Sequence, residues 1–81
     1  MKARIHILLK NGVLDPQGKA IETALHGLGF EAADNVRQGK LIELDLGTDN
    51  EDEARQQADD MCKKLLANPV MEQYRIELVA D

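Results

Sequence analysis

Apolar residues recur with two different spacings along this 81-residue chain, and the order of those spacings restricts the folds open to it. Every second residue is apolar over most of residues 3–10, 32–46 and 70–80, as in half-buried β-strands. In the two intervening stretches an apolar residue returns at every third or fourth position, which is typical of a helix with one buried face. The predicted order is strand, helix, one or two strands, helix, strand.

The first helix is predicted to begin at Asp15-Pro16. The Asp15 side chain can accept from free amides of the first turn, and Pro16 at the first helical position loses no hydrogen bond. Gly29 is placed to end the helix in the left-handed conformation, after which Phe30 is expected to fold back onto Leu25. The apolar stripe of this helix consists of Ile21, Ala24, Leu25 and Leu28.

The second helix has sequence signals at both ends. Thr48 and Glu51 have the spacing of a capping box, in which each side chain satisfies a free amide of the other residue. The acidic residues at 49–53 and the lysines at 63–64 suit the two ends of the helix dipole. Asn68-Pro69 ends the helix, because a residue before proline is disfavoured in the helical conformation. The buried stripe is predicted to be Ala54, Ala58, Met61, Cys62, Leu65 and Leu66.

The dipeptide Gln38-Gly39 leaves two arrangements open in the middle of the chain. It is either a tight turn between two strands or a bulge within one long strand. In both cases residues 1–81 are expected to form one α+β domain with the order β-α-β(β)-α-β. The expected architecture has two layers, a mostly antiparallel sheet with two helices on one face, similar to the ferredoxin-like plan.

Charge and aromatic content argue against nucleic acid as a partner. Acidic residues outnumber basic ones by 15 to 10, a net charge of −5, and Phe30 and Tyr74 are the only aromatic residues. A nucleic-acid binder needs surplus cations and stacking surfaces. No stretch approaches the roughly 20 apolar residues that span a bilayer, and one cysteine allows no internal disulfide. A cytoplasmic location without a membrane partner is expected.

No set of side chains in the sequence has the spacing of a catalytic, cofactor or metal site. Cys62 falls on the apolar stripe of the second helix, where free cysteine packs as a small hydrophobe. His6 and His26 lack paired ligand spacing, so a zinc site is not expected. The acidic residues at 49–53 lack calcium-loop spacing, and the glycines form no phosphate-binding motif. The chain alone is expected to catalyse nothing and to hold no cofactor or metal.

The face of the sheet away from the helices mixes apolar and charged residues. If even-numbered residues of the later strands face the helices, the other face carries Leu41, Glu43, Asp45, Met71, Gln73, Arg75, Glu77 and Val79, with Arg4, His6, Leu8 and Lys10 from the first strand. Such a surface is either solvated or meets another subunit with its charges paired. Small size and open sheet edges favour association.

Three stretches are distinctive when taken together: LKNGVLDPQG at residues 9–18, VRQGK at 36–40 and LLANPVMEQY at 65–74. They closely resemble the PurS family, the small subunit of phosphoribosylformylglycinamidine (FGAM) synthase, and the likeness covers essentially the whole chain. The resemblance implies a three-part ligase of purine biosynthesis. In it a glutaminase subunit releases ammonia, and a large synthetase subunit uses ATP and Mg to install that ammonia in formylglycinamide ribonucleotide.

The resemblance also implies the part played by this chain. It would be a non-catalytic accessory subunit that docks both partners, assists ammonia transfer and associates with itself as a dimer or tetramer. Candidate partner contacts lie in the matched loops: Lys10, Asn11, Asp15, Arg37, Lys40, Asn68 and Pro69. The alternative for Asp15, Asn68 and Pro69 is that they only cap helices. A competing function is a regulatory module of ferredoxin-like type that binds a small metabolite.

Overall fold

The structure, a computed structural model that describes residues 1–80, has the element order β-α-β-α-β. The strands are β1 (Lys2–Leu9), β2 (Gly39–Asp45) and β3 (Glu72–Val79), and the helices are α1 (Pro16–Gly27) and α2 (Glu51–Met61). A five-residue π-helical turn, Cys62–Leu66, continues α2. The predicted fold class is confirmed, with one strand between the helices.

The three strands form one antiparallel sheet with β1 in the middle. Alternate residues of β1 point to one face, where Ala3, Ile5 and Ile7 have at most 1% of their surface exposed. The register sets Ile5 between Ile42 of β2 and Ile76 of β3, so the apolar positions of all three strands share that face. The predicted alternation is therefore confirmed within β1, β2 and β3, whereas residues 32–38 and Val70, which the pattern included in strands, lie outside them.

α2 and the π-helical turn cover this inward face. Ala54 and Ala58 are fully buried against the sheet, where Ala3 is their neighbour, and such small side chains allow the helix to lie close to the strands. Cys62 in the π-helical turn is also fully buried against β1. Its predicted role as a packing residue fits this position.

The π-helical turn changes which residues of the predicted stripe reach the core. A π turn is wider than an α-helical turn, so the residues after Cys62 are rotated relative to the buried face of α2. Leu65 is consequently 83% exposed, whereas Leu66 is half-buried and Ala67 is buried. The prediction of Leu65 as a core residue is wrong.

Both predicted ends of α1 are confirmed. Asp15 caps the first turn by accepting a hydrogen bond from the backbone N–H of Gly18 at 2.8 Å, and Pro16 is the first helical residue. Gly29 follows the helix with a positive φ of 99°. The backbone N–H of Phe30 then donates to the carbonyl of Leu25 at 3.0 Å, which completes a Schellman motif.

The predicted start of α2 is displaced by two residues. Asn50, not Thr48, is the capping residue, because Asn50 Oδ1 accepts from the backbone N–H of Glu53 at 2.9 Å. The Thr48 hydroxyl instead accepts from the N–H of Asn50 at 3.1 Å. Asn is as good a cap as Thr, and it stands immediately before the first helical residue, Glu51.

Residues 13–38 form an arm that projects from the sheet. The arm consists of α1 and an irregular return segment, residues 28–38, so Gln38-Gly39 is neither a hairpin turn nor a bulge, and β2 begins at Gly39. The Cα atoms span 47 × 28 × 14 Å, whereas an eight-residue strand is about 26 Å long. The radius of gyration is 15.9 Å, above the roughly 12 Å of a compact chain of this length.

The apolar stripe of α1 is not buried against the sheet. Ile21 is 40% exposed and Leu28 is 74% exposed, and Phe30 just beyond the helix is 60% exposed. α2 and the π-helical turn already close the inward face of β1, so this core does not require α1. The expectation of two helices packed on one face therefore holds for α2 alone.

Polar side chains of α1 hold the return segment instead. Glu22 Oε1 accepts from the backbone N–H of Val36 at 3.3 Å, and His26 Nε2 donates to the carbonyl of Ala33 at 2.7 Å. Gly18 lies so close to this segment that a Cβ on it would stand 2.5 Å from the Val36 carbonyl oxygen. In the arm, α1 and the irregular return segment are therefore joined to each other by these contacts.

We expect Gly39→Ala to lower the free energy of unfolding by about 1–3 kcal/mol. A Cβ at this position would stand 2.3 Å from the carbonyl oxygen of Ile7 in β1. Gly47→Ala is the matched control, because nothing lies within 4 Å of its Cβ position, and it should change stability by less than about 0.5 kcal/mol. Urea denaturation measures both. Unchanged stability of Gly39→Ala would contradict the pairing of Gly39 with Leu8.

Candidate functional site

The loop end of the sheet, where β1 ends and β2 and β3 begin, gathers the residues singled out from the three matched stretches. Both neighbours run antiparallel to β1, so loops from distant parts of the sequence meet at this end. The residues placed there are Lys10 and Asn11 after β1, Asp15 at the start of α1, Arg37 and Lys40 around the start of β2, and Asn68 and Pro69 before β3.

Asp15 joins the start of α1 to the segment that enters β2. One carboxylate oxygen accepts from the N–H of Gly18 at 2.8 Å, and the other accepts from the N–H of Gln38 at 3.0 Å. The N–H of Gly18, then that of Gln38, and the positive charge of Arg37 all lower the pKa of Asp15. Both oxygens are engaged, so Asp15 acts as a clamp between two loops.

Arg37 is positioned by Asn11 across the same gap. Its Nη1 donates to Asn11 Oδ1 at 3.0 Å, which links the turn after β1 to the segment before β2. A guanidinium carries five N–H donors, and within residues 1–80 this is the hydrogen bond that Arg37 makes. The remaining donors make no hydrogen bond within the same residues.

Glu72 connects Lys40 to the loop before β3. Its Oε2 lies 3.4 Å from Lys40 Nζ, and its Oε1 accepts from the N–H of Asn68 at 2.7 Å. The N–H of Asn68 and the Lys40 ammonium lower the pKa of Glu72. Sequence reasoning missed Glu72, although a signal was present. It occupies an even position of β3, on the helix-facing side, where a carboxylate needs partners.

Asn68 shapes the turn into β3, and Lys10 extends the pairing of β1. Asn68 Oδ1 accepts from the N–H of Val70 at 3.1 Å, and Pro69 between them is exposed. The N–H of Lys10 donates to the carbonyl of Met71 at 2.8 Å, and its side chain is exposed. These residues present their outer surfaces to solvent at the loop end.

A cavity of about 360 Å³ opens among these loops. Its lining combines the apolar Ile7 and Leu9 with the charged Asp15, Lys40 and Glu72. Each of these three charged groups is hydrogen-bonded or ion-paired within the chain. The charged groups that line the cavity are therefore already satisfied within the chain.

The face of the sheet away from α2, here called the uncovered face, carries paired charges. Arg4 in its centre lies 3.3 Å from Glu43 on β2 and 3.7 Å from Glu77 on β3. His6 Nε2 lies 3.3 Å from Glu77 and is the main cause of the lowered pKa of Glu77. Three basic and three acidic residues share this face, so their charges cancel although the whole chain has a net charge of −5. These six residues are Lys2, Arg4, Arg75, Glu43, Asp45 and Glu77.

Among the described residues, the side chains that could react or bind a metal are buried or held apart from one another. Cys62 is fully buried, and burial, followed by the nearby Asp59, raises the pKa of its thiol, which disfavours the reactive thiolate. Within residues 1–80 no three His, Cys, Asp or Glu side chains converge as they would around a metal ion. Over the same residues no helix has the length and apolar character needed to cross a bilayer.

We expect the stabilising effect of Asp15 to depend on pH. Its pKa in the folded state is below the ordinary value of about 3.9. The carboxylate therefore stabilises the fold above that value and loses its contribution as the pH falls through the lowered folded-state pKa. Asp15→Asn should lower the urea midpoint at neutral pH and have a progressively smaller effect in strong acid.

Urea denaturation of Asp15→Asn and the parent at neutral and acidic pH measures this difference. Asp60→Asn, an exposed carboxylate on α2, is the matched control and should leave the midpoint nearly unchanged at neutral pH. An equal destabilisation by Asp15→Asn at both pH values would show that the Asp15 clamp does not depend on charge.

The chain matches known proteins along almost its entire length. Residues 2–80 match the family model described as PurS, phosphoribosylformylglycinamidine (FGAM) synthase. The PurS subunit of this synthase from Synechocystis sp. is 47% identical over 77 residues, covering 95% of this chain and 77% of that protein. The PurS subunit from Methanocaldococcus jannaschii is 43% identical over 77 residues, covering 95% of this chain and 93% of that protein.

Solved structures are similar over the same range. The crystal structure of PurS from Methanocaldococcus jannaschii has a TM-score of 0.84 at 43% identity, covering 94% of this chain and 92% of that one. The structure of PurLQS from Thermotoga maritima has a TM-score of 0.85 at 32% identity, covering 94% of this chain and 93% of the matched one. Sequence and fold similarity therefore extend together from β1 to β3.

Proposed function

The chain belongs to the PurS family, and on that basis we propose that it is the non-catalytic accessory subunit of FGAM synthase in purine biosynthesis, working in the cytoplasm. The complex is an ATP-dependent ligase that converts formylglycinamide ribonucleotide and glutamine to the amidine. Similarity of 32–47% identity to PurS subunits over nearly the whole chain is the observation that carries this proposal. ATP and Mg belong to the synthetase partner.

Ammonia has to pass between two active sites in such an enzyme. Ammonia released into water is protonated, and ammonium is no nucleophile, so the glutaminase and synthetase sites must be joined by a path protected from solvent. A subunit that contacts both enzymes can hold the two sites in register. We assign this chain that docking role and, with it, assistance in ammonia transfer.

The loop end and the arm supply the surfaces for docking. The solved structure of PurLQS from Thermotoga maritima includes a chain that is similar to this protein. Its name joins the letters L, Q and S. At the loop end, Arg37 keeps unused donors and Lys10 is exposed, while Asp15 and Glu72 hold the loops in place. A rigid surface with a few free cations is suited to acidic groups on a partner protein.

The arm adds apolar area to this docking surface. Leu14 before α1 is 79% exposed, and Leu28 and Phe30 after it are 74 and 60% exposed. Large exposed apolar side chains at both ends of the helix give a partner apolar area to cover. A helix of 12 residues is marginal by itself in water. Contact with a partner subunit would cover the stripe and stabilise the arm. Self-association as a dimer or tetramer completes the proposal, because small domains with open sheet edges gain buried surface by pairing.

We expect the double charge reversal Arg37→Glu with Lys40→Glu to weaken assembly with the glutaminase and synthetase subunits by at least about tenfold. In the reconstituted enzyme, FGAM formation from glutamine should fall, while formation from added ammonium salt should be retained. The reason is that ammonia supplied from solution does not need the docked glutaminase. Sedimentation velocity measures assembly, and product formation is followed with each nitrogen source.

Lys64→Glu is the control for this experiment, since Lys64 is an exposed cation far along the chain on the π-helical turn. It should leave both assembly and product formation unchanged. Far-UV circular dichroism must show that the double variant remains folded. Unchanged assembly of the folded double variant would remove Arg37 and Lys40 from the contact surface.

We expect Leu28→Asp to reduce assembly by at least about tenfold while changing the stability of the isolated chain by less than about 0.5 kcal/mol. Leu28 is 74% exposed, so a charge there costs the isolated chain little but would be buried in the interface. Leu65→Asp is the matched control, an exposed leucine at 83% outside the arm. If the two variants assemble equally well, the arm is not a docking surface.

A further inference from the structure

An asparagine followed by glycine occurs once in the chain, at Asn11-Gly12 in the turn after β1. Both residues are exposed, and a Cβ on Gly12 would have nothing within 4 Å. The N–H of Val13 donates to the carbonyl of Lys10 at 3.1 Å, which closes the turn. Gly12 has a φ of 89° whereas the φ of Asn11 is negative, so the turn is of type II.

The peptide group between Asn11 and Gly12 can turn over without breaking a hydrogen bond. Neither the carbonyl of Asn11 nor the N–H of Gly12 is hydrogen-bonded within residues 1–80. Glycine adopts positive and negative φ about equally well, so the group can rotate while the Val13–Lys10 hydrogen bond stays closed. During the rotation the Gly12 nitrogen passes the side of the Asn11 Cα–C bond on which Cβ lies, and there it reaches the side-chain Cγ.

We propose that Asn11 is a deamidation site, at which the side-chain amide is lost through attack by the Gly12 nitrogen. That nitrogen gives its proton to a base in solution, and its electron pair forms a bond to Asn11 Cγ. The Cγ–Nδ2 bond then breaks, and Nδ2 takes a proton from solution and leaves as ammonia. A five-membered succinimide ring remains. Water opens the ring at either carbonyl, which gives aspartate or isoaspartate at position 11.

Asn35 is not placed for the same reaction. The nitrogen that would attack its side chain belongs to Val36, and the N–H of Val36 donates to Glu22 Oε1 at 3.3 Å. The β-branched side chain of Val36 also crowds the approach to that nitrogen. The contacts that hold the return segment to α1 therefore protect Asn35.

The two remaining asparagines are excluded by the elements that they begin or end. Asn50 caps α2, so its Oδ1 accepts from the N–H of Glu53 at 2.9 Å and the residue after it is already helical. Asn68 precedes Pro69, whose nitrogen has no proton to lose. Asn11 is the one asparagine that combines an exposed side chain with an unhindered, unbonded nitrogen after it within residues 1–80.

Deamidation would change the charge at the loop end. Asn11 Oδ1 accepts from Arg37 Nη1 at 3.0 Å, and a carboxylate in the same place would hold the guanidinium as an ion pair. The proposed docking surface would then have one of its cations neutralised, so acidic groups on a partner would be bound less strongly. This consequence rests on the proposed docking function, whereas the reaction itself does not.

Peptide mapping by mass spectrometry tests the reaction on the isolated, folded chain after incubation at neutral and at mildly alkaline pH. Asn11 should convert at least about tenfold faster than each of the other three asparagines. Conversion should be faster at alkaline pH, because the attacking nitrogen must lose its proton, and isoaspartate should accompany aspartate. Conversion of Asn11 no faster than that of the others, or a product without isoaspartate, would overturn the proposal.

Gly12→Ala tests the part played by the Gly12 nitrogen. A Cβ beside that nitrogen hinders the attack and the rotation, so conversion of residue 11 should slow by at least about tenfold. Gly47→Ala, another position with open space around its Cβ, is the control and should convert like the parent. Circular dichroism must show that both variants are folded. A folded Gly12→Ala chain that converts at the parent rate would overturn the assignment of the nucleophile.

Asn11→Asp reproduces the charge of the product and tests the consequence for docking. Assembly with the glutaminase and synthetase subunits should weaken by at least about threefold in sedimentation velocity. Asn11→Ser, which adds no charge, should weaken it less, and Gln56→Glu, which adds the same charge on the exposed side of α2, should assemble like the parent.

The outcomes separate the reaction from the docking role. An Asn11→Asp chain that assembles like the parent would overturn the consequence for docking, while peptide mapping decides the reaction independently. If the double reversal of Arg37 and Lys40 also leaves assembly unchanged, the docking role of the loop end itself fails.

Discussion

The central position of β1 determines the rest of this structure. Its backbone is hydrogen-bonded on both sides, and Ala3, Ile5 and Ile7 are sealed beneath α2 and the π-helical turn. Since both neighbours pair with it antiparallel, the loops that follow β1 and precede β2 and β3 all return to one end of the sheet. Contacts such as that between Arg37 and Asn11, 26 positions apart, follow from this topology.

The core that β1 supports is small, and this explains why α1 lies in the arm and is not packed on the sheet. α2 places alanines against the sheet, and one helix with its π-helical turn is enough to close the inward face of β1. α1 is therefore held by Glu22, His26 and the close approach at Gly18, contacts that join it to its own return segment. Polar contacts take the place of burial, and the apolar stripe is left on the outside.

Sequence reasoning succeeded where the deciding interactions are local. Asp15-Pro16 and Gly29 predicted both ends of α1, because caps act within a few residues. Thr48 failed as a cap since Asn50 offers the same chemistry two residues later. The exposure of Leu28 was not predictable, because a stripe shows that one face is apolar and not what covers it. The matched loops supplied residues that the structure brings to one end of the sheet, but Glu72 was missed because its partners are fixed only by the strand register.

The distribution of charge bears on how such a subunit can dock. Arg4 stands between Glu43 and Glu77, so the uncovered face carries its counter-charges with it into any contact. A charge buried with its partner already in place leaves no unpaired ion, which is the costly outcome at interfaces. An acidic chain can in this way offer a neutral surface to another protein. In the proposed docking, apolar area on the arm would supply affinity, while the paired charges of the uncovered face would select orientation.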